Sequence, residues 1–218
     1  MVDTRVLTAK VAAHAHGRVP RELRREQVLA EASGLFIERG YQGASMDELA
    51  RRVGVTKPII YGLVGSKEEL FREVMASVQD ELTGCVASAV ATAHDLPGRL
   101  HAGILAFLQF VQQHRQGWAA LLSSGAGPVS AEAVALRREQ VGLVAGLIGA
   151  SLGPKGSRLD ARTLEALAQA INGAVEFVAL WWQGHPALTA EELAALLSQL
   201  LSPGLVALTS AGKKRARR

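Results

Sequence analysis

The chain has 218 residues, of which 49% are apolar and only 5% aromatic, and its formal net charge is +4. That length suits one or two domains with a real core. A single cysteine, Cys85, excludes an internal disulfide and any zinc site built on cysteines. Strand-like alternation is absent over any useful length, and the dominance of Ala, Leu, Gly and Val favours closely packed helices. Charge is uneven. Residues 1–75 carry 12 basic and 10 acidic side chains, residues 76–212 carry 7 and 10, and the tail 213–218 adds five basic ones. Attraction to phosphate therefore concentrates at the amino-terminal part and the tail.

Taken in chain order, residues 1–19 are basic and rich in small residues and are expected to form a flexible arm. A helix is predicted from Pro20 to Arg39, with Val28, Ala32, Leu35 and Phe36 facing the core. Ser45-Met46-Asp47-Glu48 reads as a capping box, and Met46, Leu49, Ala50 and Val53 follow at helical spacing until Gly54 ends the helix. Thr56 is placed to cap the next helix, with Pro58 in its first turn, where a missing N–H costs little. Ser66-Lys67-Glu68-Glu69 is a second capping box. It opens a long helix to about Ala93, on which Cys85 is expected to be a small buried hydrophobe.

Beyond a break at Asp95-Leu96-Pro97-Gly98, helices are predicted over Pro97–His114, a short Gly117–Ser123, Ser130–Leu152 and Asp160–Gln183. Ser124–Pro128 is expected to be a loop, and Gly153–Gly156 a stop. Thr189-Ala190-Glu191-Glu192 is a third capping box, opening a last helix to about Leu201. The expectation is an all-α protein of about nine helices. Its divisions are the arm 1–19, a helix-turn-helix domain 20–70, a larger helical domain 71–208 and a basic disordered tail 209–218.

Two short helices joined by a tight glycine turn form the helix-turn-helix layout, in which the second helix lies in the DNA major groove. Val55, Ile60 and Val64 fit core-facing positions, so Lys57, Pro58 and Tyr61 are expected to point outward. Lys57 can donate to guanine or to phosphate, Pro58 can pack on a thymine methyl, and the Tyr61 hydroxyl suits phosphate. Ile59 remains open between core and methyl contact. Ser45 and Thr56, at helix starts, can meet phosphate oxygens. Arg18 and Arg21 belong to an arm that either enters the adjacent minor groove or adds non-specific attraction.

The stretch from Glu22 to Met75 resembles the tetracycline-repressor (TetR) family of bacterial regulators. The resemblance rests on Phe36-Ile37-Glu38-Arg39-Gly40-Tyr41, Ala44-Ser45-Met46, Gly54-Val55-Thr56-Lys57, Tyr61, Ser66-Lys67-Glu68 and Leu70-Phe71 at fixed spacings. After the tyrosine the family usually continues with His, an aromatic and Phe; here Gly62, Leu63 and Val64 stand there. The DNA contacts expected are thus Arg21, Ser45, Thr56, Lys57, Pro58, Tyr61 and Lys67; for Lys67, in the first turn of its helix, the resemblance also implies contact with the backbone across the groove.

In the second half, the 160–183 helix is apolar nearly all round. Leu164, Leu167, Ile171, Val175, Val178 and Trp182 make one stripe, and Ala166, Ala170, Gly173, Phe177 and Trp181 the other. The last helix also has more leucines than one intrachain face needs. Pairing of both helices with their copies across a two-fold axis resolves this, with Leu164, Ile171, Val175, Leu193, Leu197 and Leu200 at the interface. TetR-like proteins dimerise this way. Phe107, Phe110, His114, Trp118, Leu122, Phe177 and Trp181 are candidates to line a ligand cavity, or to be plain core. Gln169, Asn172 and Glu176 would supply polar contacts there or across the dimer.

The function expected is a homodimeric repressor of palindromic operator DNA, released by a small, mostly apolar effector. An activator, or a regulator without an effector, stays open. No enzyme motif is found (no His-Glu-x-x-His, Gly-x-Ser-x-Gly or phosphate loop), and neither cofactor nor metal is expected. Residues 1–20 lack a continuous apolar run, and Arg162, Glu165, Gln169, Asn172 and Glu176 interrupt the most apolar stretch, so no membrane partner and a cytoplasmic location are expected.

Overall fold

A computed structural model describes residues 4–14, 19–114, 129–152 and 159–214. Among these the structure is helical, with no strand. The helices are α1 (Thr4–Ala12), α2 (Arg21–Gly43), α3 (Met46–Val53), α4 (Lys57–Val64), α5 (Lys67–Ala91), α6 (Leu96–Gln113), α7 (Val129–Leu152), α8 (Ala161–Trp182) and α9 (Ala190–Lys214). The short helix expected at Gly117–Ser123, the Ser124–Pro128 loop and the Gly153–Gly156 stop lie outside the described residues. The chain forms two compact units and passes from the first to the second inside α5, between Glu81 and Leu82, and again inside α7, between Val134 and Ala135.

The first unit is built on α2, which loses helical geometry at Gly40, one residue beyond the predicted end. Val28, Ala32, Leu35 and Phe36 face inward and meet Leu49 and Val53 of α3, Ile60 and Val64 of α4, and Leu70 and Phe71 of α5. Phe71 stands edge-on to both Phe36 and Tyr41, with ring centroids 5.0 and 4.9 Å apart. Each such pair adds about 0.5–1.5 kcal/mol beyond the area it buries. At Gly65 (φ 70) any Cβ would collide with the Glu69 carboxylate, which folds back to accept from the Ser66 N–H at 2.7 Å. Glu69 in turn donates its N–H to Ser66 Oγ at 3.1 Å, so this capping box is complete.

Within residues 1–19, expected to be a flexible arm, Thr4–Ala12 form the helix α1. Leu7 and Val11, four apart, give α1 an apolar face; α1 packs on α2 and buries Leu7. The basic side chains around them hid this short pattern.

In the second unit α6 packs along α9 and also touches α8. Ile104, Phe107, Leu108 and Val111 of α6 join Leu193, Ala194 and Leu197 of α9 and Ile171, Val175 and Ala179 of α8 among its buried side chains. Asp95 and Asp160 cap α6 and α8 by accepting the Gly98 and Thr163 N–H groups. Thr189 and Glu192 form a complete capping box at α9. The Trp182 indole donates to the Leu188 carbonyl at 2.7 Å and closes the turn between α8 and α9.

Cys85 is exposed, because the inward face of its stretch of α5 is taken by Leu82 and Val90. The tail expected from residue 209 is helical to Lys214, since α9 runs through Pro203. An internal proline costs ~3 kcal/mol, offset in part by burial of Leu205 on the next turn, worth about 2 kcal/mol. Within α9, Ala190–Leu208 is long and apolar enough to cross a membrane by length and composition alone, but Leu193, Leu197 and Leu205 are buried within the unit.

Candidate nucleic-acid interface

The turn between α3 and α4 depends on Gly54. It adopts φ 76, ψ 35, and its N–H and that of Val55 return to the Ala50 carbonyl at 3.0 and 2.9 Å. This left-handed conformation costs a side-chain-bearing residue roughly 1–2 kcal/mol. At the start of α3, Ser45 Oγ accepts the Glu48 N–H at 3.1 Å, as predicted. Glu48 does not complete the box; its carboxylate pairs with Arg52 at 2.8 Å. Arg52 also grips Glu38 with two bonds, of 3.1 and 2.6 Å, and so ties α3 to α2. Its hydrogen bonds hold both carboxyls below their usual range.

Thr56 sits at the N-cap of α4, yet its hydroxyl makes no capping bond. Of the two N–H groups a cap serves, one is missing at Pro58. The other, on Ile59, bonds the Thr56 carbonyl at 3.0 Å. The hydroxyl is left for an outside partner.

Ile60 and Val64 of α4 are buried and Val55 packs beside them, so the opposite face is exposed: Lys57, Pro58, Ile59, Tyr61 and Gly62. Ile59, left open by the sequence, is on the outer side. Lys57 Nζ bonds Asp47 Oδ2 at 2.8 Å, and this bond raises the Lys57 pKa. Lys67 is less free than expected. Its ammonium lies 4.5 Å above the Tyr41 ring centre, where burial lowers its pKa. The Tyr41 hydroxyl donates to Glu68 at 2.8 Å. Arg21 is no part of an arm. It opens α2 and donates to the Gly62 carbonyl at the end of α4, at 2.9 Å. Arg18 lies outside the described residues. Asp47, part of the Ser45–Glu48 capping motif in the sequence, also stands on this face; its ten-residue offset from Lys57 carries no periodic signal.

Residues 28–74 match the family described as bacterial regulatory proteins of the tetR family, and residues 96–204 match its tetracyclin repressor-like C-terminal domain. The chain belongs to the TetR family of transcriptional regulators. It is similar to the HTH-type transcriptional activator FasR of Mycolicibacterium smegmatis, 43% identical over 101 residues, which are 46% of each chain. It thus spans about half the length of that curated relative. Among solved structures it resembles a TetR-like regulator from Rhodococcus sp. RHA1 (27% identity, TM-score 0.67, 87% of this chain and 99% of that one). A TetR-family regulator from Streptomyces coelicolor is also similar (25%, TM-score 0.72, 87% and 83%).

In the second unit of this TetR-family chain the two apolar stripes of α8 differ in burial. Ile171 and Val175, expected between copies, are buried in the chain's own core, as are Leu193 and Leu197 of α9. Leu164 is half-buried and Leu200 is 72% exposed. Phe177 and Trp181, expected around a ligand, face outward at 74% and 49% exposure, with Leu180 and Leu196 beside them in the exposed set. Phe107 and Phe110 are buried in the core, and His114 lies 4.4 Å from the Phe110 ring. Trp118 and Leu122 lie outside the described residues. Periodicity finds two apolar stripes but not which one faces home. The inner stripe carries Asn172 and Glu176, both buried. A pocket of about 40 Å³ lies among Val111, Gln112, Trp182, Gln183, Pro186 and Leu188, with room for a few waters and no more.

Proposed function

We propose that this chain regulates transcription by binding palindromic duplex DNA as a homodimer, with α4 in the major groove. The observation that carries this reading is the outer face of α4, where Lys57, Pro58, Ile59 and Tyr61 stand exposed over a fully packed inner face. Ser45 and Thr56 offer hydroxyls to flanking phosphates, and Arg21 and Lys67 add cations. A two-fold pair of such helices, ~34–36 Å apart, would read successive major grooves. The dimer face is assigned to the outward stripe of Phe177, Leu180 and Trp181 on α8 and Leu196 and Leu200 on α9. An apolar set this exposed marks an association surface. Leu200 belongs to this face, whereas Ile171, Val175, Leu193 and Leu197 are buried within the chain.

A small effector, apolar apart from one or two polar groups, is proposed to act on the second unit. Support comes from Asn172, whose amide nitrogen is buried with no hydrogen-bond partner, one turn from buried Glu176. An unsatisfied buried donor costs about 1–3 kcal/mol, which a ligand oxygen would recover. The effector can shift DNA binding only through different affinity for the bound and free states. Since Phe107 and Phe110 are packed, the site must open to admit it.

Release of a repressor is the first reading of the output. Activation is the second, favoured by the 43% identity to a named activator. Gel-shift titration of the gene's upstream DNA tests the contact assignment. Lys57→Ala and Tyr61→Phe should each weaken binding and leave the dimer intact, and unchanged affinity for both rejects it. A reporter on the same promoter separates repression from activation by the sign of the change when the gene is deleted.

A further inference from the structure

The Lys57–Asp47 pair is unlike the other ion pairs of the first unit. Arg52 with Glu38 and Glu48 joins α3 to α2, and Arg25 with Glu73 joins α2 to α5. Lys57–Asp47 instead joins the first turns of α3 and α4, on the face that carries Tyr61, and both side chains are exposed, Lys57 at 44% and Asp47 at 72%. An exposed pair is worth ~0–1 kcal/mol, so it holds the lysine without locking it.

We propose that Asp47 is a specificity-determining residue of the DNA interface, an internal competitor for phosphate that occupies Lys57 until a matching base edge takes it. The inference rests on the duplex-binding reading above. On arbitrary DNA, Lys57 meets mainly phosphate oxygens. Exchanging Asp47 for a phosphate gains little, because one anion replaces another and the freed carboxylate is left close to the DNA backbone. Lys57 then releases no net counterion, and non-specific binding lacks one cation per protomer. On a matching site the same carboxylate is freed, but the lysine bridges two acceptors in the groove, guanine O6 and N7, a contact worth about 1–3 kcal/mol of discrimination that offsets the loss of Asp47. Asp47 thus lowers affinity for wrong DNA more than for right DNA, which is discrimination by unfavourable contact with competitors.

The test uses the full chain, a duplex from its own upstream region that it binds, and a scrambled duplex of equal length, across a salt series. Asp47→Asn should raise affinity for the scrambled duplex by roughly two- to fivefold per protomer. Its log K against log salt slope should steepen by about 0.9 per protomer. The upstream-to-scrambled ratio should fall. In a Lys57→Met background the same replacement should steepen the slope clearly less, since only the repulsion of the carboxylate is removed and no lysine is freed. Asp80→Asn makes the same charge change on α5, roughly 20 Å further along the helix than Lys67, and should not reproduce the effect. An unchanged slope and ratio in a folded Asp47→Asn protein, or the same steepening in the Lys57→Met background or in Asp80→Asn, overturns the inference while duplex binding stands. Absence of duplex binding by the parent and every variant overturns the reading beneath it, and the inference with it.

Discussion

Arg21 Nη2 donates to the Gly62 carbonyl oxygen at 2.9 Å, so the first residue of α2 is fastened to the far end of the helix assigned to the groove. The last carbonyls of a helix have no partner within it and carry its negative pole. Gly62 brings no side chain of its own, and nothing lies within 4 Å of where a Cβ would stand. Arg21 therefore sets a cation beside the position where TetR-like chains usually have a histidine.

Arg21→Ala should accordingly weaken binding to any duplex and reduce the salt slope by about 0.9 per protomer, with little change in sequence preference. Fluorescence anisotropy on matched and scrambled duplexes reads both quantities. A selective loss on the matched duplex alone would assign Arg21 to base reading instead.

On the second unit, Leu200→Glu and Leu193→Ala should separate association from folding. Leu200 is exposed, so a charge there should dissociate the dimer while helicity and thermal stability of the chain change little at equal protomer state. Leu193 is buried, and its truncation should cost about 2–5 kcal/mol of stability. Sedimentation and thermal melts distinguish the two. A Leu200→Glu protein that remains dimeric would move the interface off this stripe.

The capping box at α5 should make stability depend on acid. The Ser66 backbone N–H and hydroxyl hold the Glu69 carboxyl below its ordinary value of 4.5. A carboxyl depressed by folding adds stability that is complete above 4.5 and is lost as pH falls through the lower, folded value. Glu69→Gln should therefore lower the melting temperature at neutral pH, and the difference from the parent should shrink as pH drops below about 4.5. A difference that is constant from pH 7 to 3 would show that the charge on Glu69 is not the cause.

The first unit was legible because its signals are local and of several independent kinds. Ser45, Gly54, Pro58 and the Ser66–Glu69 box each fix one helix end, and the apolar spacing then allows one way in for Ile60 and Val64. Pairings between distant positions left no such trace. Asp47 with Lys57, Arg21 with Gly62 and Lys67 over Tyr41 all join separate elements, and only the folded chain brings them together. In α8 and α9 the difficulty was of another kind. Both stripes are apolar, so composition could not tell Ile171 and Val175, which pack at home, from Phe177 and Trp181, which do not. Leu7 and Val11 were too short a pattern to stand out among basic neighbours.

The central claim is most directly tested by measuring how many chains occupy one palindromic duplex from the gene's own upstream region, by native mass spectrometry or sedimentation. The account predicts an even number of chains per duplex, with binding weakened by Lys57→Ala. A chain that stays single and holds that duplex no more tightly than a scrambled one would contradict it.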